Sequence, residues 1–135
     1  MGSANLELVR RAFDAFERRD ARVLAEVCSE DIVFEPVTAR LAADGRPYVG
    51  HAGLRQYLAD VARVWQELRP EPTECREVDD ELVVCTGRVY AWGVGRVVDT
   101  PAGWLWRVRD GRIVHGRVYE TARAALQAAE AERAA

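Results

Sequence analysis

Residues 82–120, LVVCTGRVYAWGVGRVVDTPAGWLWRVRDGRIVHGRVYE, decide the fold. They read as three long strands in a row, because related residues recur at every second position, the spacing at which a strand returns side chains to one face. Val84, Thr86, Arg88, Tyr90 and Trp92 share one parity. Trp104, Trp106 and Val108 form a second set, and Val114, Gly116, Val118 and Glu120 a third. Two joints separate the strands. One is glycine-rich, Gly93 to Gly95; the other is Arg109-Asp110-Gly111-Arg112, where Asp-Gly supplies the positive φ of a two-residue hairpin. The stretch is therefore expected to be a bent antiparallel meander, one face of which lines a cavity closed by helices.

Working outward, residues 5–18 carry Leu6, Val9, Phe13 and Phe16 at helical spacing, with Asn5 as the expected cap. A short helix behind Asp20 presents Leu24, Val27 and Cys28. Ile32 to Glu35 is a strand that Pro36 ends or places at a sheet edge. Residues 38–46 read as a loop with an Asp44-Gly45 turn, and Pro47-Tyr48-Val49 as a very short strand. The longest helix opens at Gly50 and buries Leu54, Tyr57, Leu58, Val61, Val64, Trp65 and Leu68, until Pro70 and Pro72 stop it. Residues 73–78 are a further strand, and 121–131 an alanine-rich terminal helix. This order predicts an α+β fold, with helices on one face of a curved, mainly antiparallel sheet. At 135 residues the chain is expected to be a single domain, residues 1–135.

Composition removes several chemistries. All nineteen basic residues are arginine, so neither a Schiff-base lysine nor a phosphate-binding loop with its lysine exists. The arginines are spread among acids, and the net charge is −3, which argues against a nucleic-acid partner. Cys28, Cys75 and Cys85 stand far apart and are odd in number, so free thiols in a reducing cytoplasm are expected. With only His51 and His115 as histidines, no metal site and no cofactor are expected. No secretory segment or membrane span is expected either. Ser3 and Ser29 are badly placed for a nucleophile.

The VRRAFDAFERRD helix, the SEDIVFEP strand with its acid before proline, the YVGHAGLRQYL helix start and the WRVRDGRIVHGRVYE hairpin together resemble the nuclear transport factor 2-like superfamily, in its SnoaL-like and ketosteroid isomerase-like branch. The resemblance spans nearly the whole chain, from Asn5 to Glu130, and its motifs identify fold better than reaction. It implies a cone-shaped domain with a deep hydrophobic pocket, paired into a homodimer through the outer sheet face. The second parity of the meander, Val83, Cys85, Val89, Ala91 and Leu105, is apolar enough to suggest the same pairing.

The resemblance also places Glu35 where isomerase-like members hold a general-base carboxylate. The two oxyanion donors of those enzymes fall on Ala12 and Trp104, which do not supply a tyrosine and a carboxylic acid. The arginine and two aspartates of the epoxide hydrolase-like branch fall on Arg88, Tyr90 and Val118, so only the arginine is kept. The parity reading puts Arg88, Tyr90, Trp92, Trp104, Trp106 and Glu120 in the pocket with Glu35 opposite, and by analogy Tyr48 and His51 lie near its mouth. Tyr57 reaches the pocket from the long helix. Three functions stay open. One is an isomerase, hydrolase or cyclase acting on a small ring-containing metabolite, with Glu35 as base and Arg88 and Tyr90 as oxyanion or ligand anchors. The others are a non-catalytic binder of a hydrophobic molecule and a dimeric interaction module.

Overall fold

The structure is a computed structural model and describes residues 3–36 and 46–134. In chain order the elements are α1 (Ala4–Arg18), α2 (Ala21–Val27), β1 (Cys28–Glu35), β2 (Tyr48–Val49), α3 (Gly50–Val64), β3 (Glu67–Glu77), β4 (Leu82–Gly93), β5 (Arg96–Arg109), β6 (Arg112–Tyr119) and α4 (Ala122–Ala134). The Asp44-Gly45 turn lies outside the described residues.

Local chemistry sets most boundaries. Ser3, not Asn5, caps α1, its hydroxyl accepting the amide of Leu6, while the Asn5 side chain donates to the Asp80 carbonyl. Asp20 caps α2 through the amide of Val23. The long helix ends at Val64, six residues before Pro70. Both prolines lie inside β3 instead, because β3 is the edge strand of the sheet, where a missing N–H leaves no ladder bond broken.

The six strands run β2-β1-β6-β5-β4-β3. β1 and β6 are parallel and all other neighbours antiparallel, so the sheet is mixed. Register decides what each residue faces. Between β4 and β5 the loop has only two residues, pairing Gly93 with Arg96, so even positions on β4 oppose odd positions on β5. Cys85 therefore faces Trp104, and Arg88 faces Pro101. A bulge between Arg107 and Val108 then shifts β5 against β6 by one residue and aligns Trp104 with Val118 and Trp106 with Gly116. This corrects the expected grouping, because Arg88, Tyr90 and Trp92 leave the sheet on the face opposite Trp104 and Trp106.

On the inner face α1, α2 and α3 close over Phe34, Trp104 and Trp106, and Phe13 and Phe16 of α1 join them in the main core. Rings interlock there at edge-to-face and stacked geometries, Phe13 standing perpendicular to Trp104 at 5.0 Å and Phe16 stacking on Phe34 at 4.9 Å. The terminal helix takes the other side. Gly103 backs directly onto Ala125, and Leu82, Val84, Leu105, Ala125 and Ala129 make a second small core. Arg107 fastens that helix, donating to Glu132 at 2.7 Å and to Glu81 at 2.9 Å.

The apolar stripe expected to pair two chains is thus already covered within one. Val83, Cys85 and Ala91 are buried in the inner core, with Val89 packed against it, and Leu105 is buried under α4. The cysteines differ from expectation too. Cys75 and Cys85, direct partners across β3 and β4, form a disulfide, so only Cys28 is a free thiol and the case for a reducing cytoplasm loses its premise. Among the described residues no helix is long and apolar enough to cross a membrane.

Candidate functional site

Between the inner face and the helices lies a cavity of about 440 Å³. Its inner walls are Phe13 and Phe16 of α1, Phe34 of β1, Tyr57 of α3, and Trp104 and Trp106 of β5. Leu68 and Pro70 of β3, Val89 of β4 and Val98 of β5 close one side; Val118, Tyr119 and Glu120 close the other. The walls are made this way because inward positions of five strands meet the apolar stripe of α1. Gly116 lets Trp106 and Phe34 approach: a side chain there would begin 2.5 Å from the Trp106 ring.

Few polar groups face this space. Glu120 is the one carboxylate in the wall among the described residues, and it stands at the exposed rim just past the end of β6. Tyr57 is 7% exposed, and burial, with a smaller effect of Tyr48, pushes its phenol well above the ordinary value, so it is a neutral donor. Trp106 is 1% exposed, and its indole N–H is enclosed without a hydrogen-bond partner. The other wall residues are mainly apolar rings and aliphatic chains, the remaining polar groups being the Trp104 indole, the Tyr119 phenol and two exposed threonines.

Of the residues assigned from sequence, Tyr57, Trp104, Trp106, Val118 and Glu120 are brought together in the cavity wall. Glu35 is not. Strand alternation turns Phe34 inward, so Glu35 points to the outer face, where its carboxylate meets Nε2 of His115 at 2.6 Å. Arg88 is a half-exposed partner of Asp99 on the outer face, at 2.8 Å. Tyr90 lies under the Arg69 guanidinium at 4.9 Å, and the 40% exposed Trp92 donates its indole N–H to Glu67. The base and both anchors expected from sequence therefore stand on the wrong side of the sheet, and acid–base chemistry by Glu35 with Arg88 and Tyr90 is withdrawn.

Tyr48 faces inward but does not line the cavity, because its hydroxyl is used elsewhere. It donates to Oδ2 of Asp60 at 2.7 Å. Asp60 is a carboxylate buried to 3% exposure that also accepts from Gln56 and Arg63. These bonds, led by that from Tyr48, hold its carboxyl below the usual range. Sequence reading missed Asp60; an acid three positions beyond Tyr57 and just before Val61, on the helix's apolar stripe, was the available signal. His51, at the start of α3, bonds the Cys28 carbonyl at 2.9 Å and has a backbone role. The Cys28 thiol is pushed up to about 12 by burial, which keeps it un-ionised. Among the described residues no three His, Cys, Asp or Glu side chains are close enough to hold a metal ion.

Comparison with known proteins agrees with this architecture. The family model described as the SnoaL-like domain matches residues 9–116. None of the curated proteins matches the sequence. Among solved structures, an NTF2-like protein of unknown function from Burkholderia pseudomallei is 23% identical over 93% of this chain and 96% of its own, with a TM-score of 0.78. TerC, co-crystallised with polyporic acid, is 23% identical over 95% of this chain and 99% of its own, also at 0.78. IdmH of Streptomyces antibioticus, a candidate polyketide cyclase, is 18% identical over 93% and 96%, at 0.69.

Proposed function

The chain belongs to the SnoaL-like domain family, and from the cavity built on that fold we propose that it binds a flat, hydrophobic, ring-containing small molecule. The observation that carries this reading is the cavity wall: about 440 Å³ of space faced by Phe13, Phe16, Phe34, Tyr57, Trp104 and Trp106. A wall built mainly from rings and aliphatic chains favours a hydrophobic, ring-containing guest, and apolar surface moved out of water contributes about 25 cal/mol per Å² before the costs of association. The ligand named for TerC and the cyclase role suggested for IdmH support ring-shaped guests as a class.

Titration with 9-fluorenone, a flat tricyclic ketone, tests the reading by quenching of tryptophan fluorescence. Saturable one-to-one binding is expected, and Val89→Trp, which puts an indole into the same space, abolishes it. Absence of quenching up to the solubility limit, or equal binding by Val89→Trp, overturns the reading.

A second reading adds catalysis and rests on Glu120, the carboxylate at the rim of the same cavity. A carboxylate there takes a proton from carbon next to a ring carbonyl and returns it. In heavy water the protein then speeds exchange of the α-hydrogens of 2-tetralone, and Glu120→Gln removes the acceleration. Exchange at the buffer rate in the unaltered protein leaves binding as the whole function.

A further inference from the structure

We infer that the Tyr57 hydroxyl is the polar anchor of the cavity and selects guests that present an acceptor oxygen, a ring ketone or quinone carbonyl, at their buried end. The inference rests on the binding reading above and deepens it by naming what the guest carries.

Three observations support it. Tyr57 lines the cavity and is 93% buried, yet among the described residues its hydroxyl has no hydrogen-bond partner. Nor is that hydroxyl sealed in protein, since the fully enclosed, unpartnered side-chain polar atom among the described residues is Nε1 of Trp106. A buried donor left unmade costs about 1–3 kcal/mol, so a hydroxyl in a cavity wall gains from an acceptor that enters the cavity.

The second observation is orientation. Tyr57 is held by rings on three sides: Phe34 at 5.0 Å, Tyr48 at 5.3 Å and Phe16 at 5.8 Å, all close to edge-to-face. Tyr48 in turn is fixed by its bond to the buried Asp60. The phenol is therefore positioned before any guest arrives, which lowers the cost of using it.

The third is polarity. Tyr57 and Trp104 are the inner-wall residues whose polar atoms have no hydrogen-bond partner among the described residues and are not fully enclosed, since the enclosed one is Nε1 of Trp106. An indole N–H only donates, and a neutral phenol among apolar rings donates best. A wall with donors and no carboxylate at its inner end suits a carbonyl oxygen and disfavours a hydroxyl or ammonium that must itself donate.

The test compares 9-fluorenone with fluorene, the same tricycle without the oxygen, on the wild-type protein and on Tyr57→Phe. The variant keeps the ring contacts, and an unchanged melting temperature verifies its fold. Wild type is expected to bind the ketone about five- to tenfold more tightly than the hydrocarbon, and Tyr57→Phe to remove that preference by weakening the ketone alone. The infrared carbonyl stretch of bound 9-fluorenone should lie at lower frequency in wild type than in the variant. Equal affinity for both tricycles in wild type, or a ketone preference that survives Tyr57→Phe, overturns the anchor while leaving the binding reading standing. If neither tricycle binds, both fall together.

Discussion

The two faces of β4 and β5 are built from alternate residues of the same strands, yet they do opposite work. Inward, Val89, Ala102, Trp104 and Trp106 meet helices and enclose space. Outward, Arg88, Tyr90, Trp92 and Asp99 make exposed pairs with neighbours, and only the end covered by α4 is dry. A one-residue change in pairing exchanges the two sets. Function in this fold therefore follows register more closely than residue type: an arginine, a tyrosine and a tryptophan suited to a pocket are spent on the surface.

The contrast is broken most severely at Trp106. Removing this side chain as Trp106→Ala empties the junction of Phe13, Phe16 and Phe34 and should cost about 3–5 kcal/mol in urea unfolding. A loss under about 1 kcal/mol would mean that the inner face is loosely packed.

A smaller effect is expected at Asp60, whose bonds with Tyr48 back the Tyr57 wall. Asp60→Asn should destabilise by about 1–3 kcal/mol near neutral pH. Its folded carboxyl is depressed below the ordinary 3.8, so the charged form favours folding. That contribution is complete above the ordinary value and is lost as pH falls through the lower folded one, so the gap between variant and wild type should narrow below about pH 4. A gap constant from pH 7 to pH 2 would contradict the linkage.

Arg88–Asp99 is the outer counterpart, a charged pair about half exposed. Arg88→Ala should change stability by no more than about 1 kcal/mol and leave 9-fluorenone affinity unaltered. A tenfold fall in affinity would return Arg88 to the cavity.

How much of this was legible in the sequence follows from the same contrast. The meander, the Asp110-Gly111 hairpin and the α+β order were readable because alternation and turn chemistry are local; Asp110 and Gly111 indeed have φ of 52° and 75°. Tyr57, Trp104, Trp106, Val118 and Glu120 were placed in the wall because apolar periodicity and a shared hairpin point there. Arg88, Tyr90 and Trp92 were misplaced because even-numbered positions on β4 and β5 were grouped together. The signal was present in Gly93-Val94-Gly95-Arg96, since a loop of two residues pairs each position with one of opposite parity. The β5–β6 bulge left no comparable mark, nor did α4's choice of the far face, which depends on Gly103 meeting Ala125. The Cys75–Cys85 disulfide was missed for the same reason: the two cysteines lie ten positions apart, and only the register of β3 on β4 makes them direct partners.

The central claim is that the inner face of the sheet, and not the outer, receives the ligand. Its most direct test uses the four indole N–H signals in a proton–nitrogen correlation spectrum, assigned by single tryptophan-to-phenylalanine substitutions and followed during addition of 9-fluorenone. The account predicts that the Trp104 and Trp106 signals move with saturation while that of Trp92, bonded to Glu67 on the outer face, stays in place. Movement of the Trp92 signal with Trp104 and Trp106 unchanged would contradict it.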